Sequence, residues 1–149
     1  TPAEIMTVAA AVLAEFAPGI EPPESVRACG VRPWSRQVTA DELPDAVAEF
    51  VETETGREGT SVVIGPPSGS DATASTVPGA VSPYATKGLE FDAVLVVDPD
   101  RILAEGPQGA ADLYVALTRA TQRLGVLHRG QLPPALSGLT EVEAPVRAG

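Results

Sequence analysis

The sequence predicts an α/β domain, a mostly parallel β-sheet flanked by helices. Three observations carry that prediction. Short uninterrupted apolar runs at 60–64, 92–97 and 124–127 read as strands covered on both faces. Between them lie segments whose apolar residues recur at helical spacing. At 149 residues, with 44% hydrophobic and 20% charged, the chain has the size and composition of one globular domain.

The first element is an amphipathic helix over 2–16. Ile5, Val8, Ala9, Val12, Leu13 and Phe16 share a face, Thr1 is placed to cap its start, and Pro18-Gly19 stops it. A helix that opens at the first residue predicts a piece cut from a longer protein. A Pro-rich connection follows over 20–33, then a short strand at 34–38. Thr39 and Glu42 have the spacing of a capping box, and Leu43, Val47, Phe50 and Val51 supply the apolar face of a helix ending before Gly56. The segment 41–58 holds seven acids against Arg57, a charge of −6, and reads as a solvated helix face. The strand at 60–64 is followed by a Gly/Pro/Ser/Thr stretch, 65–79, expected as loop. Next come the strand 92–97 closed by Asp98-Pro99, a helix over 110–120 and the strand 124–127. We expect the domain to occupy 1–130, with 131–149, rich in Pro and Gly, as a peripheral tail.

Composition narrows the chemistry. Cys29 is the only cysteine and His128 the only histidine, which argues against a disulfide, a multi-cysteine metal site and serine-histidine catalysis. His128 ends an apolar run and reads as an ordinary partly buried or surface histidine. A net charge of −10 makes the whole chain a poor binder of polyanions, so any nucleic-acid contact must be local. No apolar run approaches the length of a membrane span and no signal peptide opens the chain, so the expectation is a soluble, cytoplasmic protein.

A parallel α/β domain invites a nucleotide, held beyond the carboxyl ends of the strands. Neither a P-loop, G-x-x-x-x-G-K-[ST], nor a G-x-G-x-x-G after a strand occurs, so the chain alone should not bind ATP tightly. Two clusters remain. Lys87-Gly88-Leu89-Glu90-Phe91-Asp92 leads into the strand at 92–97, and Lys87 is the only lysine of the chain. Its Lys-Gly step reads either as a plain turn or as one that lets backbone approach a ligand, with Glu90 accepting from ribose hydroxyls. In Leu113 to Arg123, Arg119 and Arg123 stand four apart and are expected to share a helix face. They read either as surface arginines or as a group reaching a γ-phosphate.

Val81-Ser82-Pro83-Tyr84-Ala85-Thr86-Lys87-Gly88-Leu89-Glu90-Phe91-Asp92 resembles motif V of UvrD/Rep-like superfamily 1 helicases, and Leu113-Tyr114-Val115-Ala116-Leu117-Thr118-Arg119-Ala120 resembles their motif VI. The opening Thr1-Pro2-Ala3-Glu4-Ile5-Met6 is similar to the segment after motif IV. The resemblance implies the C-terminal RecA-like lobe of a two-lobed ATP-driven motor, a P-loop NTPase fold without the half that carries the P-loop. ATP and Mg2+ would be bound mainly by an N-terminal RecA-like lobe of the same parent chain. Carried over, Arg119 would act catalytically on the γ-phosphate, Glu90 would hold the ribose and Gly88 would keep the turn tight. Ser82, Tyr84 and Lys87 would lie near single-stranded DNA. Tyr84 stands where the family usually has histidine, and the large domain that UvrD and Rep insert between motifs IV and V has no room here.

With that insertion missing, an acidic balance and the Gly30-Val31-Arg32-Pro33-Trp34 stretch, the chain looks closest to HelD-like ATPases. The leading expectation is the motor lobe of an ATP-dependent DNA helicase or translocase, inactive as an isolated piece. The alternatives are a HelD-like factor that releases RNA polymerase, and a non-enzymatic α/β interaction module.

Overall fold

In α1 (Ala3–Phe16), Ile5, Val8, Ala9 and Val12 form one buried stripe, as their spacing predicts. The structure is a computed structural model. It describes residues 3–16, 32–56, 59–68, 71–104 and 107–142. Thr1, the stop at Pro18-Gly19 and most of the Pro-rich connection, with Cys29, lie outside those residues.

β1 (Trp34–Gln37) is the short strand expected there. The capping box before α2 (Leu43–Thr55) is formed in both directions. Thr39 N donates to Glu42 Oε1 at 2.9 Å, and Glu42 N donates to Thr39 Oγ1 at 3.2 Å. Two of the helix's orphan N–H groups are thereby satisfied. Leu43, Ala46 and Val47 bury the inner face of α2, and its acids fall mostly outside.

β2 (Ser61–Ile64), β5 (Phe91–Val97) and β6 (Ala120–His128) form the sheet with β1 and β7 (Thr140–Glu141), in the order β2-β5-β6-β1-β7 and parallel throughout. Ala93 to Val97 have 0% exposure, which explains the unbroken apolar run of β5: it is an inner strand with both faces covered. Val94 and Val96 face a core shared with α1, α3 (Pro99–Leu103) and α4 (Pro107–Thr118). Leu95 and Val97 face a second core under α2. The result is three layers with the sheet in the middle.

Four expectations need correction. The stretch 65–79 contains a small hairpin of β3 (Pro67–Ser68) and β4 (Asp71–Ser75), tied to the sheet edge where Val81 bridges both Ile64 and Ala74. β3 has two residues and β4 alternates only alanine with polar residues, too weak an apolar signal to mark a strand, so the sequence shows only loop chemistry. The last helix ends at Thr118 and β6 begins at Ala120, earlier than expected, because Phe91 N finds its acceptor on Arg119 at 2.9 Å. Arg119 and Arg123 therefore share no helix face, since Arg123 lies on β6. The tail is not peripheral as far as Val142: Leu136 is 0% exposed, Ala135 and Leu139 join the α1 core, and β7 pairs with β1. Its apolar residues are few, but they pack in the same core as α1. Residues 143–149 lie outside the described ones.

Candidate functional site

The chain from Ser82 to Glu90 is a series of tight turns. Pro83 starts a 3-10 turn (Pro83–Thr86) in which Ala85 N donates to Ser82 O at 3.1 Å and the buried Thr86 Oγ1 donates to Pro83 O at 2.7 Å. A second turn follows, with Leu89 N donating to Thr86 O at 3.0 Å. Its central residues are Lys87 at φ −59°, ψ 130° and Gly88 at φ 77°, the geometry of a type II turn, whose third position requires positive φ. That is the physical reason for the glycine. No heavy atom lies within 4 Å of where a Cβ on Gly88 would sit, so the requirement is one of backbone conformation, not space.

Arg119 follows the last residue of α4 and is fastened to the end of this turn. Its carbonyl accepts from Phe91 N at 2.9 Å, and its Nη1 donates to Leu89 O at 3.1 Å. Glu90 lies between those two anchor residues. Nε of Arg119 also donates to Val115 O at 3.1 Å, and Nη2 to Thr118 Oγ1 at 3.4 Å. All these acceptors are neutral, so among the described residues no carboxylate is bonded to the half-buried guanidinium. Tyr114 registers that charge: burial pushes its phenol up, and the Arg119 cation works against the shift. Glu90 is exposed and has no hydrogen-bond or ion-pair partner among the described residues.

Gly88, Glu90 and Arg119 are thus assembled at the amino ends of β5 and β6. Tyr84 and Lys87 lie on the same turn system, with Lys87 Nζ 5.1 Å from the Tyr84 ring centroid and Tyr84 56% exposed. Ser82 is separated from them by burial: it is 0% exposed, so its hydroxyl does not reach the surface that Tyr84 and Lys87 present.

The cluster lies at the amino ends of β5 and β6, not at the carboxyl ends where the open-sheet rule puts ligands. The carboxyl ends of these two strands are closed by an ion pair between the buried Asp98 and the partly exposed Arg129. Arg129 Nε and Nη2 donate to Asp98 Oδ2 at 3.0 and 2.5 Å, and Arg129 N donates to Asp98 Oδ1 at 3.2 Å. The Asp98 bond holds the Arg129 guanidinium above its ordinary pKa. His128 beside it is buried, with Nδ1 2.8 Å from Gly130 O, and has a structural role.

Sequence reasoning missed the carbonyls of Leu89 and Val115 and the Thr118 hydroxyl, which together aim Arg119. Backbone acceptors leave no trace in residue identity; only Thr118, a hydroxyl on the last turn of a helix, was a visible signal.

Residues 80–127, about one third of the chain, match the family model of the UvrD-like helicase C-terminal domain. Both candidate clusters fall inside that span. A search of the curated proteins finds no match. Among solved structures, the chain is similar to the C-terminal domain of a possible DNA helicase from Lactobacillus plantarum WCFS1. The TM-score is 0.65 at 19% identity, covering 93% of this chain and 94% of that one. At that identity the likeness establishes the fold, the α/β architecture that the sequence predicts.

Proposed function

We propose that this chain is the C-terminal motor lobe of a UvrD-like superfamily 1 ATP-dependent DNA helicase or translocase. The single observation that carries the reading is the attachment of Arg119 to Leu89 and Phe91, on either side of Glu90. It gathers an arginine bonded to neutral acceptors and a carboxylate without a partner among the described residues, 29 positions apart in sequence, at the amino ends of β5 and β6.

That pair fits a nucleoside triphosphate shared with a P-loop lobe. Glu90 accepts hydrogen bonds from ribose hydroxyls, and Arg119 donates to an oxygen of the terminal phosphate, where charge grows as the phosphoryl group departs. Bound ATP with Mg2+ supplies the phosphoanhydride whose hydrolysis drives the motor. Tyr84 offers an exposed ring for base stacking and Lys87 a cation for a phosphate, both on the turn whose end holds Arg119. Nη1 of Arg119 is bonded to Leu89 O, so a shift of the turns that carry Tyr84 and Lys87 would move the arginine with them and so couple strand contact to the phosphate.

The test is steady-state ATP turnover by this lobe joined to its P-loop lobe, with and without single-stranded DNA. Strong stimulation is expected. Turnover indifferent to DNA would remove the translocase reading, and no turnover under either condition would remove the motor itself. No observation in the structure favours the polymerase-releasing or non-enzymatic alternatives.

A further inference from the structure

On the opposite face of the sheet from α4, under α2, lies a cavity of about 430 Å³, within the size range of small-molecule sites. None of its lining residues belongs to the site at Arg119. Its platform is Trp34 on β1. Trp34 pairs in register with Gly125 of β6, and the benzo ring of the indole occupies the space that a side chain at 125 would fill. The glycine therefore lets the ring lie flat on the sheet. Phe50 of α2 provides an apolar wall.

Arg36 stands two residues beyond Trp34 and so on the same face of β1. It lines the cavity, and its Nε is buried with no hydrogen-bond acceptor among the described residues. A buried N–H without an acceptor is costly, and a ligand oxygen would relieve it. Arg32, exposed, lines the same cavity. The third arginine there, Arg123, is already committed, its Nε donating to Glu54 at 3.0 and 3.3 Å.

We infer that this cavity binds a small flat aromatic or heteroaromatic molecule carrying one anionic group, its ring on Trp34 and its anion on Arg36. The alternative anion, a nucleic-acid backbone, is disfavoured by charge. Glu49 and Glu54 also line the cavity, and the chain as a whole is at −10, which repels a polyanion while the half-buried Arg36, with its buried Nε, still selects a single negative group.

Trp34 is the only tryptophan, so its emission reports on this cavity directly. The probe is 1-anilinonaphthalene-8-sulfonate, compared with the uncharged N-phenyl-1-naphthylamine, titrated into the 149-residue chain with stoichiometry checked by calorimetry. The expected result is saturable one-site quenching by the sulfonate. Arg36→Gln should weaken it about tenfold or more while leaving the neutral probe unchanged. Arg36→Lys, which keeps the charge, should fall between and keeps the test readable if the glutamine variant does not fold by circular dichroism. Three results would overturn the inference: no one-site saturation, sulfonate binding indifferent to Arg36, or displacement of the probe by a thymidine oligonucleotide.

Discussion

Arg119 Nη1 donates to the carbonyl oxygen of Leu89 at 3.1 Å, joining the end of α4 to the turn that carries Lys87, Gly88 and Glu90. One bond therefore ties the two sequence clusters into one unit. The arginine is held by carbonyls and a hydroxyl and not by a carboxylate, so it is oriented without being neutralised. A group kept this way is available to an incoming anion at the cost of neutral hydrogen bonds only.

Arg119→Ala in the two-lobed motor is expected to lower ATP turnover by about 10³-fold, the lower end of what arginine fingers contribute in GTPases. Affinity for ATP should change much less, because the interaction strengthens as charge develops. Single-turnover hydrolysis with a separate nucleotide-binding titration checks both; turnover within a few fold of the parent would remove Arg119 from the chemistry.

Glu90→Ala should show the reverse balance. Ribose contacts are made about equally in the ground and transition states, so nucleotide affinity should weaken roughly tenfold while the chemical step at saturation stays near normal. A 2′,3′-dideoxy nucleotide should bind both proteins alike, since it lacks the hydroxyls that Glu90 accepts from. An unchanged affinity for ATP would make Glu90 a solvated surface residue.

Gly88→Ala forces a side chain to adopt φ near +77° at the third position of a type II turn. The expected cost is about 1 kcal/mol, with Gly88→Asn costing less because asparagine tolerates that region. Thermal unfolding of the two variants gives the order. Because open space surrounds the position, equal and large losses would mean that something other than backbone conformation decides it.

The Asp98 and Arg129 pair at the carboxyl ends of β5 and β6 predicts a stability effect without a catalytic one. Arg129→Met leaves the Asp98 carboxylate, with a side chain 1% exposed, buried and short of its donors. The loss should be about 3 kcal/mol, discounted little because the aspartate is the buried partner. Chemical denaturation measures it, and Asp98→Asn combined with Arg129→Met should recover part of the loss, since the charge left behind is removed.

The capping box makes stability depend on pH. Bonds from Thr39, the backbone N–H first, hold Glu42 below its ordinary pKa. A lowered folded pKa means that the contribution is complete above the usual carboxylate value of about 4.3 and is lost as pH falls through the lower folded value. The acid limb of a stability-versus-pH curve should therefore flatten slightly in Glu42→Gln. An identical limb in both proteins would show that the box forms without the charge.

Much of this protein was legible in the sequence because its strongest signals are local. The continuous run Ala93 to Val97 had to be an inner strand, and the stripe Ile5, Val8, Ala9 and Val12 had to be a buried helix face. The Thr39/Glu42 box formed as its spacing required, since each of its bonds lies within four residues. The Lys-Gly step was recognisable as a turn because only a few residues tolerate positive φ.

What only the tertiary structure decided depends on partners far apart in the chain. Phe91 takes its acceptor from Arg119 and so ends α4 early, which moves Arg123 onto a strand and into an ion pair with Glu54. Leu136 and Leu139 look incidental in a Pro-rich tail until α1 lies against them. The sequence pointed to the carboxyl ends of the strands for a ligand, but there the Asp98 and Arg129 pair, 31 positions apart, closes β5 and β6, and the candidate cluster forms at the amino ends instead. Local propensity is written in neighbouring residues. The direction of a guanidinium, the burial of Ser82 and the space beneath α2 arise only when distant backbone groups must satisfy one another.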